Sequence, residues 1–130
     1  MFTHVHLGSN DVARSKAFYD ALFETLGGAR SWKDPERNRW FWLQGGQFLV
    51  VGEPLDGAPA TASNGLTIGF SVTGPEQGDA WHAAGLANGG SECEGAPEIQ
   101  DSNLAGKIYL AYLRDPDGHK LCALHRFEGD

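Results

Sequence analysis

The sequence predicts an α+β fold built from two copies of one strand–helix–strand–strand–strand unit. Three observations predict it. A strand-like stretch followed by a helical one occurs near residue 4 and again near residue 67. Both helical stretches stop at a glycine pair, and Tyr19 to Gly28 is the same step along the chain as Trp81 to Gly90. An aromatic-rich hairpin surrounds Asp115-Pro116-Asp117-Gly118 near the end. Internal repetition of this kind speaks to architecture before chemistry. Two open half-sheets joined in this way form a cup with an apolar lining.

Residues 2–8 (Phe-Thr-His-Val-His-Leu-Gly) read as a strand, with His4 and His6 on one face and Val5 and Leu7 on the other. Asn10 is placed as the N-cap of the first helix, with Asp11 in its first turn. Val12, Phe18, Tyr19, Leu22, Phe23 and Leu26 make its apolar stripe, and Gly27-Gly28 ends it. The charged run Lys33–Arg39 reads as a solvated loop, with the alternative that a loop rimming the cup gates it. Trp40–Leu43 and Phe48–Val51 then form a hairpin over Gly45-Gly46. Residues 54–65, rich in Pro, Ala and Gly, read as a linker between a first module of about 1–53 and a second of about 66–127.

In the second module, Thr67–Val72 is a strand and Pro75 opens a helix. Ala80, Trp81, Ala84 and Ala87 share a helical face, while Gly85 weakens it. A weaker strand is placed within 91–99 and a loop within 100–106. In the closing hairpin, Pro116 presets φ and Gly118 takes a positive one. Period 2 puts Leu121, Ala123 and His125 on one face and Lys120, Cys122 and Leu124 on the other.

At 130 residues the chain is one domain around one core. Its net charge of −7 argues against a nucleic-acid surface and against docking on anionic membranes. No apolar run approaches the roughly 20 residues of a membrane span. Met1-Phe-Thr-His lacks the basic and apolar regions of a signal peptide, so a cytoplasmic protein with reduced Cys93 and Cys122 is the expectation.

Several side chains carry two readings each. Trp40 and Trp42 share a face and either line a pocket or fill the core. Cys122 is either a nucleophile activated by a neighbouring histidine or a small buried hydrophobe. Cys93, flanked by glutamates, reads as inert. Tyr109 and Tyr112 fall on opposite faces, so at most one projects into the cup. His82 and His119 are expected at the surface.

His4-Val-His-Leu-Gly-Ser-Asn-Asp11 with Arg14-Ser15 and Phe18-Tyr19, together with Asp115-Pro-Asp-Gly118, resembles the vicinal oxygen chelate superfamily. That superfamily holds glyoxalase I, the bleomycin-resistance proteins and the extradiol dioxygenases. The resemblance spans essentially the whole chain. It implies paired βαβββ modules, an eight-stranded open cup, and a homodimer. It also implies a small organic ligand, in a pocket of His4, His6, Thr67, Cys122, Trp40 and Trp42.

Metal-dependent members take ligands from four strands. His4 matches the first position, Thr67 stands near the second-module equivalent, aliphatic Leu49–Val51 near a third, and Cys122 replaces the last glutamate. The leading expectation is therefore a small-molecule binder of the glyoxalase/bleomycin-resistance kind with a degenerate metal site and no cofactor. The alternative is a metal-dependent lyase, isomerase or dioxygenase. It would use a divalent ion on a non-standard set of His4, His6 and Cys122, with Glu53 as a further ligand or proton shuttle.

Overall fold

The structure is a computed structural model that describes residues 1–127. Strand β1 (His4–Gly8), helix α1 (Val12–Thr25) and strands β2 (Arg30–Lys33), β3 (Arg39–Gln44) and β4 (Gln47–Gly52) form the first unit. The second comprises β5 (Ile68–Ser71), α2 (Pro75–Ala87), β6 (Ser91–Glu92), β7 (Glu98–Ser102), β8 (Gly106–Arg114) and β9 (Lys120–Arg126). The first sheet runs β1-β4-β3-β2 and the second β5-β9-β8-β6, with β7 also on β8. In each unit the first strand pairs parallel with the last, and the other pairs are antiparallel.

Strands β6 and β7 are two pieces of one. Ser91–Glu92 pairs with Arg114 and Leu113, and Glu98–Ser102 continues along the same edge of β8. Between them Glu94 and Gly95 take φ of 55° and 83°, a left-handed excursion that interrupts the ladder. Joined, they complete the second βαβββ module. The two sheets do not close into a barrel. Among the described residues no helix is long and apolar enough to cross a membrane.

The main core lies between helices and sheets. Phe18, Tyr19, Leu22 and Phe23 of α1 and Trp81 of α2 meet Leu7, Trp42, Leu49 and Val51 of the first sheet and Tyr109, Ala111, Leu113, Leu121 and Ala123 of the second. Sheet alternation thus sets one face of each sheet against the helices. The opposite, open face carries His4, His6, Phe48, Val50 and Phe41 in the first sheet, and Ile108, Leu110, Tyr112, Cys122 and Leu124 in the second.

Three local expectations are corrected. Asp11, not Asn10, caps α1: its Oδ1 accepts from the Arg14 N–H at 3.1 Å. Asn10 is instead drawn to the linker, where its amide donates to the Ala60 carbonyl and accepts the Ala60 N–H at 3.0 and 2.8 Å. The buried face of α2 is Gly78, Trp81, His82 and Gly85, rotated from the alanine stripe. His82 and His119 are both buried, His82 beneath β6 beside Glu92 and His119 with Nε2 bonded to the Gly8 carbonyl at 2.8 Å.

The rotation of α2 has a steric cause. A Cβ on Gly78 would stand 2.1 Å from Tyr109 Cε2, and that ring is held by its hydroxyl donating to Asp79 at 2.8 Å. Glycine therefore lets the helix lie close on β8. Gly78→Ala gains about 1 kcal/mol of helix propensity. It also overpacks a rigid contact, at about 1–3 kcal/mol. The steric term wins here because the ring cannot swing away, so the urea midpoint of Gly78→Ala falls. A midpoint at or above the parent's would show that Tyr109 relaxes freely.

Candidate functional site

The open face of the first sheet is laid out in rungs. One rung is Gly8, Gly52 and Arg39; the next is His6, Val50, Phe41 and Trp32; the third is His4, Phe48, Leu43 and Arg30. The glycine rung lets other groups lie directly on the backbone. A Cβ on Gly52 would come 2.1 Å from Arg39 Cβ, and one on Gly8 would come 2.9 Å from Ala60 Cβ. The linker settles there, held by Asn10, and Arg39 closes the other side.

Between them is a cavity of about 520 Å³, within the range of small-molecule sites. His6 and Gly8 floor it, Arg37 and Arg39 wall it, the linker from Pro54 to Leu66 forms the far side, and His119 borders it. The charged run thus shapes a site instead of trailing in solvent. Asp34 organises it: its carboxylate accepts the N–H groups of Glu36 and Arg37 and the Arg39 Nε–H, the last at 2.7 Å. Those bonds, the Glu36 N–H first, hold the Asp34 pKa down at about 2.

His6 has a pKa below the usual histidine value. Partial desolvation is the first cause, followed by the guanidiniums of Arg39 and Arg37 and the His4 imidazole. At neutral pH it is an uncharged imidazole in a positive field.

A second cavity, about 350 Å³, lies where the edge strands β1 and β5 approach each other. Phe2, His4, Phe23, Trp42, Phe48 and Phe70 are among its walls. His4 and His6 share a face yet border different cavities. The His4 ring stacks on Phe48 at 4.8 Å, with its Nδ1 at 2.9 Å from the Thr3 hydroxyl.

Cys122 borders neither cavity. It is buried with Ile108 and Leu110 under Ala105, Tyr112 and Leu124, where burial pushes its thiol up to about 11. Thr67 is exposed just before β5 and also lies outside both. Glu53 is exposed beyond the end of β4.

Trp40 and Trp42 face α1 rather than the open side. Trp42 is 2 % exposed with its Nε1–H donating to Asp20 at 2.9 Å, and Lys16 sits over Trp40 at 4.4 Å. Within β3 it is Phe41 that takes the open face. Of the tyrosines, Tyr112 takes the open side and Tyr109 the core. Sequence reasoning missed Arg37 and Arg39, though a charged run entering an aromatic strand was the available signal.

These residues do not fit a divalent ion. Among the described residues no three His, Cys, Asp or Glu side chains converge to hold one. The set of His4, His6, Cys122 and Glu53 is dispersed over separate surroundings: the two histidines border different cavities, Cys122 is buried away from both, and Glu53 is exposed beyond β4.

Two outcomes follow. A thiol reagent at pH 8 modifies the half-buried Cys93 well before Cys122, whose modification waits for denaturant. Equal rates in the folded protein would place Cys122 at a solvent-open pocket. The depressed Asp34 pKa gives a stabilisation present above about pH 4 and lost as pH falls through about 2. Melting profiles of the parent and Asp34→Asn therefore differ at pH 6 and converge by pH 2; a constant gap would remove the linkage.

No protein-family model matches the sequence, and no curated protein does. Solved structures do match. A glyoxalase/bleomycin resistance protein from Albidiferax ferrireducens T118 is 51 % identical, with 97 % of this chain and 99 % of that one aligned at a TM-score of 0.91. A glyoxalase/bleomycin resistance protein/dioxygenase family enzyme from Burkholderia phytofirmans PsJN aligns over 96 % of this chain and 98 % of its own, at 16 % identity and a TM-score of 0.73. Lactoylglutathione lyase from Agrobacterium tumefaciens aligns over 95 % and 92 %, at 19 % identity and 0.63. The last two share the fold alone, whereas the first shares the sequence from end to end. The chain belongs to the glyoxalase/bleomycin resistance protein family.

Proposed function

We propose that this protein binds a small organic molecule in the His6–Arg37–Arg39 cavity and does so without a metal ion. The observation that carries the reading is the cavity itself. Its linker wall is fixed by the reciprocal Asn10–Ala60 bonds, and its sheet side offers a neutral imidazole and two guanidiniums as hydrogen-bonding groups. Residues of unlike origin converge there on one space, as ligand sites do. Both cysteines are free, which suits a reducing, cytoplasmic setting. A homodimer is the assembly the family resemblance suggests.

The site has no assigned chemistry, and binding is the function its groups support directly. The test is a fragment screen followed by amide chemical shifts on protein dialysed against EDTA. Hits shift the resonances of His6, Ala60 and Thr61, and His6→Ala weakens them about fivefold, the worth of one hydrogen bond of about 1 kcal/mol. Binding that vanishes with EDTA and returns with one equivalent of a divalent ion would overturn the metal-free reading. Hits confined to the β1–β5 seam would move the site to the other cavity.

A further inference from the structure

The open face of the first sheet carries a row of rings that continues from the cavity. Trp32 stacks on Phe41 at 5.2 Å and 1°, Phe41 meets Phe48 at 5.9 Å, and Phe48 stacks on His4 at 4.8 Å. Trp32 is 36 % exposed, Phe41 and Phe48 are half-buried, and among the described residues neither helix packs on them as both helices pack on the other face. The corresponding face of the second sheet is different: its side chains close on themselves around Cys122. The two modules share one fold but line their open faces differently, with a row of rings on the first and an aliphatic cluster on the second.

Charge on this surface runs against the rest of the chain. Within a protein of net charge −7, Arg30 lies over Trp32 and Arg39 over Phe41, each 5.2 Å from the ring centre. Arg39 gives only its Nε–H to Asp34, and among the described residues no ion pair engages the Arg37 guanidinium. Among the described residues Asp56 is the one carboxylate bordering the cavity, and it accepts the Ala58 N–H within the linker. Arg39 both walls the cationic cavity and lies over Phe41, so the ring row adjoins that cavity at Arg39, while Phe48 and His4 at its far end border the other one.

We propose that this surface takes a planar aromatic molecule bearing one anionic group. The ring system lies along Trp32, Phe41 and Phe48, and the anion reaches Arg37, the free end of Arg39 and His6. The proposal rests on the cavity being a ligand site and adds the ligand's class. Aromatic side chains favour aromatic partners beyond area alone, and guanidinium–anion hydrogen bonds are about twice as strong as neutral ones. An unpaired guanidinium beside an open aromatic row supplies both.

Three probes separate the terms: 2-naphthoate, 2-naphthalenemethanol and cyclohexanecarboxylate, titrated by amide shifts and Trp fluorescence. The expected order has 2-naphthoate tightest. Arg37→Gln weakens 2-naphthoate about tenfold and leaves 2-naphthalenemethanol within about twofold. Phe41→Leu weakens both naphthyl probes. Trp32→Leu, at an exposed edge position, does the same without touching the core and guards against a misfolded Phe41 variant.

If cyclohexanecarboxylate matches 2-naphthoate, or if 2-naphthalenemethanol does, the aromatic anion is the wrong class. Shifts at His6 and Ala60 with those probes would leave the cavity reading intact. If sedimentation shows a dimer that Trp32→Leu dissociates and none of the probes binds, a second copy covers the row and the inference falls. Failure of the wider fragment screen as well would remove the cavity reading with it.

Discussion

The turn Asp115-Pro116-Asp117-Gly118 holds the two halves of this molecule in one arrangement. It belongs to the second module, yet it spends its polar groups on the first. Asp117 accepts the Asn10 N–H at 2.9 Å, the Arg14 guanidinium at 2.9 Å and the Ser15 hydroxyl at 3.0 Å. Asp115 accepts the buried Tyr19 hydroxyl at 2.6 Å and the N–H groups of Asp117 and His119 within its own turn. Burial raises the pKa of Asp115, and these donors act in the opposite direction. A carboxyl in that position costs free energy unless nearly every lone pair is occupied, and here both oxygens are. The clasp also borders the His6–Arg39 cavity, because His119 reaches Gly8 and Asn10 reaches the linker from the same junction.

With the modules locked by their helices and this turn, the open faces are released from structural duty. The second sheet fills its own face with Ile108, Leu110 and Cys122. The first places a bare glycine rung beside imidazole, guanidinium and rings. One scaffold occurs twice, and the side chains on alternate strand positions give its two open faces different linings.

Much of the fold is legible in the sequence because its signals are local. Period 2 separates Cys122 from Leu121 and Ala123, and the Gly-Gly stops mark both helix ends. What local pattern does not reveal is which face meets the helices. Alternation sets Trp40 and Trp42 apart from Phe41, but it is Asp20 and Lys16 on α1 that draw the indoles inward. Asn10 reads as a cap until Ala60, 50 positions away, is found to claim it. His119 looks solvated beside its turn and is buried by a carbonyl 111 positions distant. The short β2, exposed throughout, has no apolar alternation to announce it, so the aromatic row it completes through Trp32 is hidden as well. The site was half legible: His6 by its strand position, Arg37 and Arg39 only once β3 is paired.

The span of the clasp has a bearing on how the chain is made. Asn10 and Asp117 are 107 positions apart, so the start of α1 finds its anion only after the second module has been synthesised. Until then the first module carries the Asn10 N–H, the Ser15 and Tyr19 hydroxyls and the guanidinium of Arg14 without their eventual acceptors, and its helix lacks the apolar neighbours of α2. Non-local closure of this kind slows folding and leaves an early half-molecule with exposed apolar surface. The closing hairpin of the second module thus completes the first helix, and the first module reaches its native arrangement only once the second has been made.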